Sequence, residues 1–369
     1  MSEIRILQIV PNMQAGGLET FIMNVYRNID KSKVQFDFLV HYTEEKFYDK
    51  EIEKLGGKIY RFSLRNDNNI FKYIKELNDF FSKHKEYKII HCHMASIGAL
   101  IFAIAKKNGI KYRIAHSHNT NTEKNLKGII KSILIKPYKY FSSYNFACSN
   151  DAGNFLFKNK KFEILYNGIY TEKFAYNEEK RIEIRKKLGI SDELVIGHVG
   201  RMCEQKNHLY LLDIFYHYNK VNPKSKLLLI GTGELEDRIK EKVTQLNIEK
   251  NVLMIGNKDN VNDYYNAMDC FILPSKFEGL GIVAIEAQSS GLLCLISDNI
   301  PIEADVVPEL VTRLSIKQKP SNWIKNINRS KDRIKFNEVV KNSNYDINKV
   351  VDKLTEIYIK FHNRGDTDE

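Results

Sequence analysis

Cys270-Phe271-Ile272-Leu273-Pro274-Ser275-Lys276-Phe277-Glu278-Gly279-Leu280-Gly281-Ile282-Val283-Ala284-Ile285-Glu286-Ala287 reads as a strand, a loop and a helix in succession. Cys270 to Leu273 is a short apolar run of strand length. Pro274 ends it, Gly279 and Gly281 let the backbone turn sharply, and the stretch from Ile282 onward resumes at helical spacing. The same step recurs on both sides. Leu194 to Val199, Lys226 to Ile230, Val252 to Ile255 and Leu293 to Ile296 look like buried strands. So do Ile4 to Val10, Phe36 to Val40, Ile59 to Phe62, Ile89 to Cys92, Tyr112 to His116, Asn145 to Cys148 and Glu163 to Tyr166, with amphipathic stretches between most of them. Such alternation predicts an α/β protein with two Rossmann-like, doubly wound parallel sheets. The 369 residues suit that reading, at roughly 150 per domain. We expect domains over 1–172 and 191–345, a charged linker over 173–190 that lacks strand signals, and a closing segment over 346–369. In that segment Ile347 to Phe361 is helical, with Val350, Val351, Leu354, Ile357 and Tyr358 on one stripe, and Gly365 to Glu369 is a frayed tail.

Composition removes several classes. With 43% apolar and 28% charged residues, the chain can bury sizeable cores, which excludes disorder as its main state. Cys92, Cys148, Cys203, Cys270 and Cys294 form no C-x2-C pair, so neither a disulfide framework nor a cysteine-rich zinc site is expected, and a reducing cytoplasm fits. No apolar run reaches the roughly 18 to 20 residues that span a bilayer, and Met1 to Val10 reads as a strand rather than a signal segment. Charge is uneven: residues 1–172 hold 27 Lys and Arg against 17 Asp and Glu, and the remainder 30 against 29. A positive field of this kind draws anions such as acidic headgroups, nucleic acid or phosphorylated substrates. Lys124 to Tyr144 reads as a basic amphipathic helix, suited either to an anionic membrane surface or to docking on its own core. Nucleic acid is not expected, because neither a basic aromatic sheet face nor a recognition helix is present.

In open α/β sheets ligands bind beyond the carboxyl ends of the strands, so the chemistry is sought in the loops there. After the first strand, Gly16-Gly17 precedes a helical pattern and permits close approach of backbone to an anion. His91, His93, His116 and His118 follow the fourth and fifth strands; without a nearby carboxylate or thiolate pair they read as packing residues or hydrogen-bonding groups rather than metal ligands. After Leu194 to Val199 come Arg201 and Lys206, two cations that a loop can aim at one diphosphate. Gly231 and Gly233 sit at the next strand-to-helix turn, which is not a G-x-G-x-x-G. In the opening stretch, the helix start at Gly281 can take phosphate on its N–H groups. Glu286, about a turn and a half further on, can accept from a ribose diol. A cap and a solvated face would use the same residues.

Taken in order, Gly16-Gly17-x-Glu19, Ser117-His118, Tyr166-Asn167-Gly168, Gly200-Arg201 with Lys206, Gly231-x-Gly233 and Pro274-Ser275-x-x-Glu278-Gly279-x-Gly281 through Glu286-Ala287 resemble glycosyltransferase family 4, most nearly its bacterial exopolysaccharide and capsule members. The resemblance runs from about residue 4 to residue 362. It implies the GT-B fold, two Rossmann-like domains facing a cleft with the last helix crossing back to the first. It implies retaining hexosyl transfer from a nucleotide diphosphate sugar, a UDP-hexose by family frequency, to a glycan or lipid-diphosphate-linked acceptor. Arg201 and Lys206 would bind the diphosphate, Glu286 the ribose, Glu278 the sugar, and Leu280 and Gly281 the distal phosphate. Gly16 and Gly17 would close over the pyrophosphate, and His118 would sit near the sugar's C6 hydroxyl. No metal or other cofactor is expected, the sole Asp-x-Asp being Asp366-Thr367-Asp368 in the tail. The protein would be cytoplasmic, held peripherally on the inner membrane face. Tyr170, where relatives usually carry Asp, and Leu292-Leu293, in place of Pro-Val, depart from the family. A nucleotide-sugar epimerase of the same fold and a noncatalytic polyanion binder are the alternatives.

Overall fold

The computed structural model describes residues 3–14, 16–62, 69–119 and 134–366. The chain forms two domains, Met1–Ile169 joined by Ile347–Glu369, and Tyr170–Asp346. In the first, β1 (Ile4–Val10), β2 (Val34–Val40), β3 (Ile59–Arg61), β4 (Ile89–Cys92), β5 (Tyr112–Ser117), β6 (Tyr144–Ala147) and β7 (Glu163–Ile164) make one sheet in the order β3-β2-β1-β4-β5-β6-β7. All its pairings are parallel. Parallel strands are covered on both faces, which is why they read as continuous apolar runs. β2 is buried throughout, including Asp37. That carboxylate accepts from Arg5 Nε at 2.7 Å and Nη2 at 2.6 Å, Tyr87 Oη at 2.7 Å and the Lys58 amide at 2.7 Å, so its charge is fully partnered.

The second domain repeats the design. β8 (Leu194–Val199), β9 (Ser225–Ile230), β10 (Val252–Met254), β11 (Cys270–Leu273), β12 (Leu293–Ser297) and β13 (Val311–Leu314) lie parallel in the order β10-β9-β8-β11-β12-β13. The two doubly wound sheets expected from the alternation are both present. β13 was not anticipated: Val311-Thr312-Arg313-Leu314 has no apolar run because it is a half-buried edge strand, and Arg313 forks onto Asp305 at 2.8 and 2.9 Å.

Within the expected linker, Glu178–Lys187 is a helix that belongs to the second domain. Arg181 Nη2 donates to Asp269 Oδ1 at 2.6 Å, and Arg185 Nη1 to the Ala267 carbonyl at 3.0 Å. Two of the charges that made the stretch read as a linker, Arg181 and Arg185, are docking groups. The last helix, Ile347–Asp366, runs past Phe361 into the expected tail and packs in the first domain. Of the proposed basic helix, residues 124–133 lie outside the described residues. Among the described residues no helix is long and apolar enough to cross a membrane.

Strand order fixes where each domain can bind. In the first sheet it reverses between β1 and β4, and in the second between β8 and β11. At such switch points the loops leave toward opposite faces and open a crevice.

Candidate functional site

At the second switch point, the loop after β8 carries Arg201 and Lys206 and the loop after β11 carries Glu278. Lys206 Nζ donates to Glu278 Oε1 at 2.7 Å, Ser275 Oγ to the same oxygen at 2.6 Å, and Gln205 Nε2 to Oε2 at 3.1 Å. Glu278 is 5% exposed and bound by these three donors. The loops are stitched further by the Lys276 amide to the Gln205 carbonyl at 2.8 Å and Asn207 Nδ2 to the Pro274 carbonyl at 3.1 Å. Arg201 differs. Its side chain is 70% exposed, with Glu234 Oε1 at 3.9 Å.

Gly231 and Gly233 lie against this loop. A Cβ on Gly231 would come within 2.1 Å of the Gly200 carbonyl oxygen, and one on Gly233 within 2.4 Å of that of Met202. The two glycines therefore let the β9 loop press on the Arg201 loop, where the amide of Met202 donates to Thr232 at 2.9 Å. Gly281 has φ +88° and caps the helix Ile282–Ser289, with Leu280 buried beside it. On that helix Glu286 Oε2 accepts from Tyr265 Oη at 2.8 Å. Burial raises the Glu286 carboxyl to about 7, against the opposing pull of that bond and of the Lys206 charge.

The first switch point is built from imidazoles. Gln8 pairs in register with His91, and His116 lies two residues beyond Ile114, the β5 partner of His91, so these side chains share a sheet face. His91 Nδ1 bonds Tyr358 Oη at 2.7 Å and its Nε2 meets His116 Nδ1 at 3.3 Å. His93 Nε2 bonds Gln8 Oε1 at 2.9 Å and its Nδ1 meets His118 Nε2 at 2.9 Å. His116 Nε2 and His118 Nδ1 are buried without a hydrogen-bond partner among the described residues. Burial holds all four rings below the usual histidine range, His91 and His118 at about 3. His91, His93 and His116 each bring a ring nitrogen within 4.8 Å of the others, and among the described residues no carboxylate or thiolate joins them. Gly16 precedes the helix Gly17–Asn28, where a Cβ would come within 2.5 Å of Glu19 Oε2.

Residues 15–173 match the model of the Glycosyltransferase Family 4 domain, and residues 180–345 that of glycosyl transferases group 1. The chain is 34% identical to EpsF of Bacillus subtilis (strain 168) across 98% of its own length and 99% of the relative's. The chain belongs to the glycosyltransferases. This glycosyltransferase is also 26% identical to the capsular polysaccharide biosynthesis glycosyltransferase CapH of Staphylococcus aureus, over 96% of this chain and 99% of CapH. To the UDP-Gal:alpha-D-GlcNAc-diphosphoundecaprenol alpha-1,3-galactosyltransferase of Escherichia coli it is 27% identical, over 80% and 82% of the two chains. Its fold is that of Anabaena Alr3699/HepE, solved in complex with UDP and glucose, with a TM-score of 0.78 at 16% identity over 96% and 99% of the chains. The two parallel-sheet domains are those of the GT-B fold.

In this glycosyltransferase, the structure brings together Lys206, Glu278 and the start of the Gly281 helix, with Arg201 on the same loop as Lys206. Gln205, Ser275, Tyr265, Gln8 and Tyr358 were missed as site residues. Tyr358 carried one signal, its place on the apolar stripe of the last helix, and Ser275 another, its place in the Pro274-Ser275 pair three residues before its partner Glu278; Gln205, Tyr265 and Gln8 are polar residues whose partners lie far away in sequence. Of the two family departures, Leu292 is fully buried as packing, and Tyr170 lies under the Lys173 ammonium at 4.1 Å.

Proposed function

We propose that this glycosyltransferase moves a hexose from a nucleotide diphosphate sugar, a UDP-hexose, to a hydroxyl of a glycan or lipid-diphosphate-linked acceptor in bacterial cell-surface polysaccharide synthesis, with retention and without a metal. The observation that carries this reading is the bonded Lys206–Glu278 pair linking the two switch-point loops beside Arg201. An ammonium has three N–H donors, and Glu278 takes one, which also fixes the direction of the others. Lys206 and Arg201 would then hold the diphosphate, and the N–H groups at Leu280 and Gly281 would meet its distal phosphate. Glu286 would accept from the ribose diol, and Glu278, while orienting Lys206, would meet sugar hydroxyls. As the bond from the anomeric carbon to phosphate breaks, fixed positive groups stabilise the charge growing on the leaving oxygen. The acceptor oxygen bonds to the same face of that carbon, and its proton passes to the departing phosphate.

The E. coli relative, whose name specifies UDP-Gal and a diphosphoundecaprenol-linked acceptor, supports the donor and acceptor classes. The positive first domain suits a diphosphate-linked acceptor and a peripheral seat on an anionic membrane. Incubation with a panel of nucleotide sugars and a diphospholipid-linked sugar, followed by NMR of the product's anomeric proton, tests the reading. Transfer with retention is expected. Inversion would overturn the stereochemistry, and acceptor-free epimerisation would overturn transfer itself.

A further inference from the structure

The four imidazoles form two branches that share one root. Along the first, Gln8 Nε2 donates to Tyr358 Oη at 3.4 Å. Tyr358 must then give its own proton to His91 Nδ1, which leaves His91 protonated at Nε2. That nitrogen donates to His116 Nδ1, and His116 ends the branch with a buried Nε2–H. Along the second, His93 Nε2–H donates to Gln8 Oε1, so His93 Nδ1 is bare and accepts from His118 Nε2–H; His118 ends with a bare, buried Nδ1. Turning the Gln8 amide over reverses every bond: all four protons move to Nδ1, His116 becomes the acceptor and His118 the donor. In both orientations the rings share one tautomer and the ends are opposite in kind. The rule follows from having one amide, with one donor end and one acceptor end, at the root.

We propose that Gln8, acting through Tyr358 and through His93, is a positioning residue that locks the four imidazoles into a single shared tautomer. The two buried ends, His116 Nε2 and His118 Nδ1, are then opposite in kind, one a donor and one an acceptor. Their rings lie 3.9 Å apart, centre to centre. Burial keeps the rings neutral, as the pairing requires. This inference rests on hydrogen bonds within the first domain alone. Ring-nitrogen NMR of the 15N-histidine-labelled full chain tests it, since protonated and bare nitrogens resonate far apart. All four cluster rings are expected in the same neutral tautomer at pH 7. Tyr358→Phe keeps the ring but cuts the first branch, so His91 and His116 should become a tautomer mixture while His93 and His118 stay locked. Mixed tautomers among the four in the unmutated chain would overturn the proposal, as would an unchanged His91 in Tyr358→Phe. Stoichiometric Zn2+ moving the four signals would overturn it too, by making the cluster a metal centre.

Discussion

The two sheets reverse at the same topological place and fill it with opposite chemistry. Between β8 and β11 stand full charges: Lys206 at 2.7 Å from Glu278, and Arg201 largely in solvent. Between β1 and β4 stand four uncharged imidazoles bonded to one another, to Gln8 and to Tyr358. Topology decides where a crevice forms, and the residues at the strand ends decide what it is polarised to hold. A buried charge needs a fixed counter-charge, so the second site comes pre-paired. Neutral imidazoles can satisfy one another, so the first tolerates four side by side.

The contrast breaks most severely at Lys206. Lys206→Ala leaves Glu278 buried without its cation and is expected to destabilise the second domain by about 3–5 kcal/mol, read by denaturant unfolding. Arg201→Ala should instead lower kcat by roughly a hundredfold, with stability unchanged to within about 0.5 kcal/mol, because that guanidinium is exposed. Equal thermal losses in the two variants would remove the distinction between a buried and a solvent-facing cation.

Acid sharpens the contrast. Rings held below their unfolded value of about 6.5 add stability that is present above that pH and lost as it falls toward about 3. The first domain holds four such rings; the second holds His198 and His208, the latter at about 4. Hydrogen exchange followed from pH 7.5 down to 4 should show the first domain opening before the second. The opposite order would refute the reading. The smallest effect belongs to Glu286. Its carboxyl is raised in the fold, so its contribution is complete below about 4.5 and lost as pH rises through about 7. Glu286→Gln should flatten the decline of Tm between pH 5 and 8.5; an unchanged slope would show that the decline has another source.

Much of this architecture was legible because buried parallel strands are continuous apolar runs. Ile4–Val10, Ile89–Cys92, Leu194–Val199 and Cys270–Leu273 appear with the limits read from sequence. Val311–Leu314 was hidden because an edge strand needs no such run, and Glu178–Lys187 misled because its arginines serve Asp269 rather than water. In the site, spacing marked Arg201, Lys206 and Glu278. That Lys206 and Glu278 hold each other depends on β8 and β11 being neighbours, which spacing does not encode. The histidines were visible singly. Their order is set by Tyr358, 267 positions beyond His91, and by Gln8, one glutamine inside an apolar strand.

The chain leaves the first domain at Ile169 and re-enters it at Ile347, and the Ile347 amide donates to the Ile169 carbonyl at 3.1 Å. One step outward, Thr171 Oγ1 donates to Asp346 Oδ2 at 2.9 Å. The second domain is thus a cassette spliced into its host, entered after residue 169 and left before residue 347. Two seams, after 169 and before 347, are all that grafting a homologous cassette requires, and a short hairpin across them would leave the imidazole-bearing host as an unbroken polypeptide.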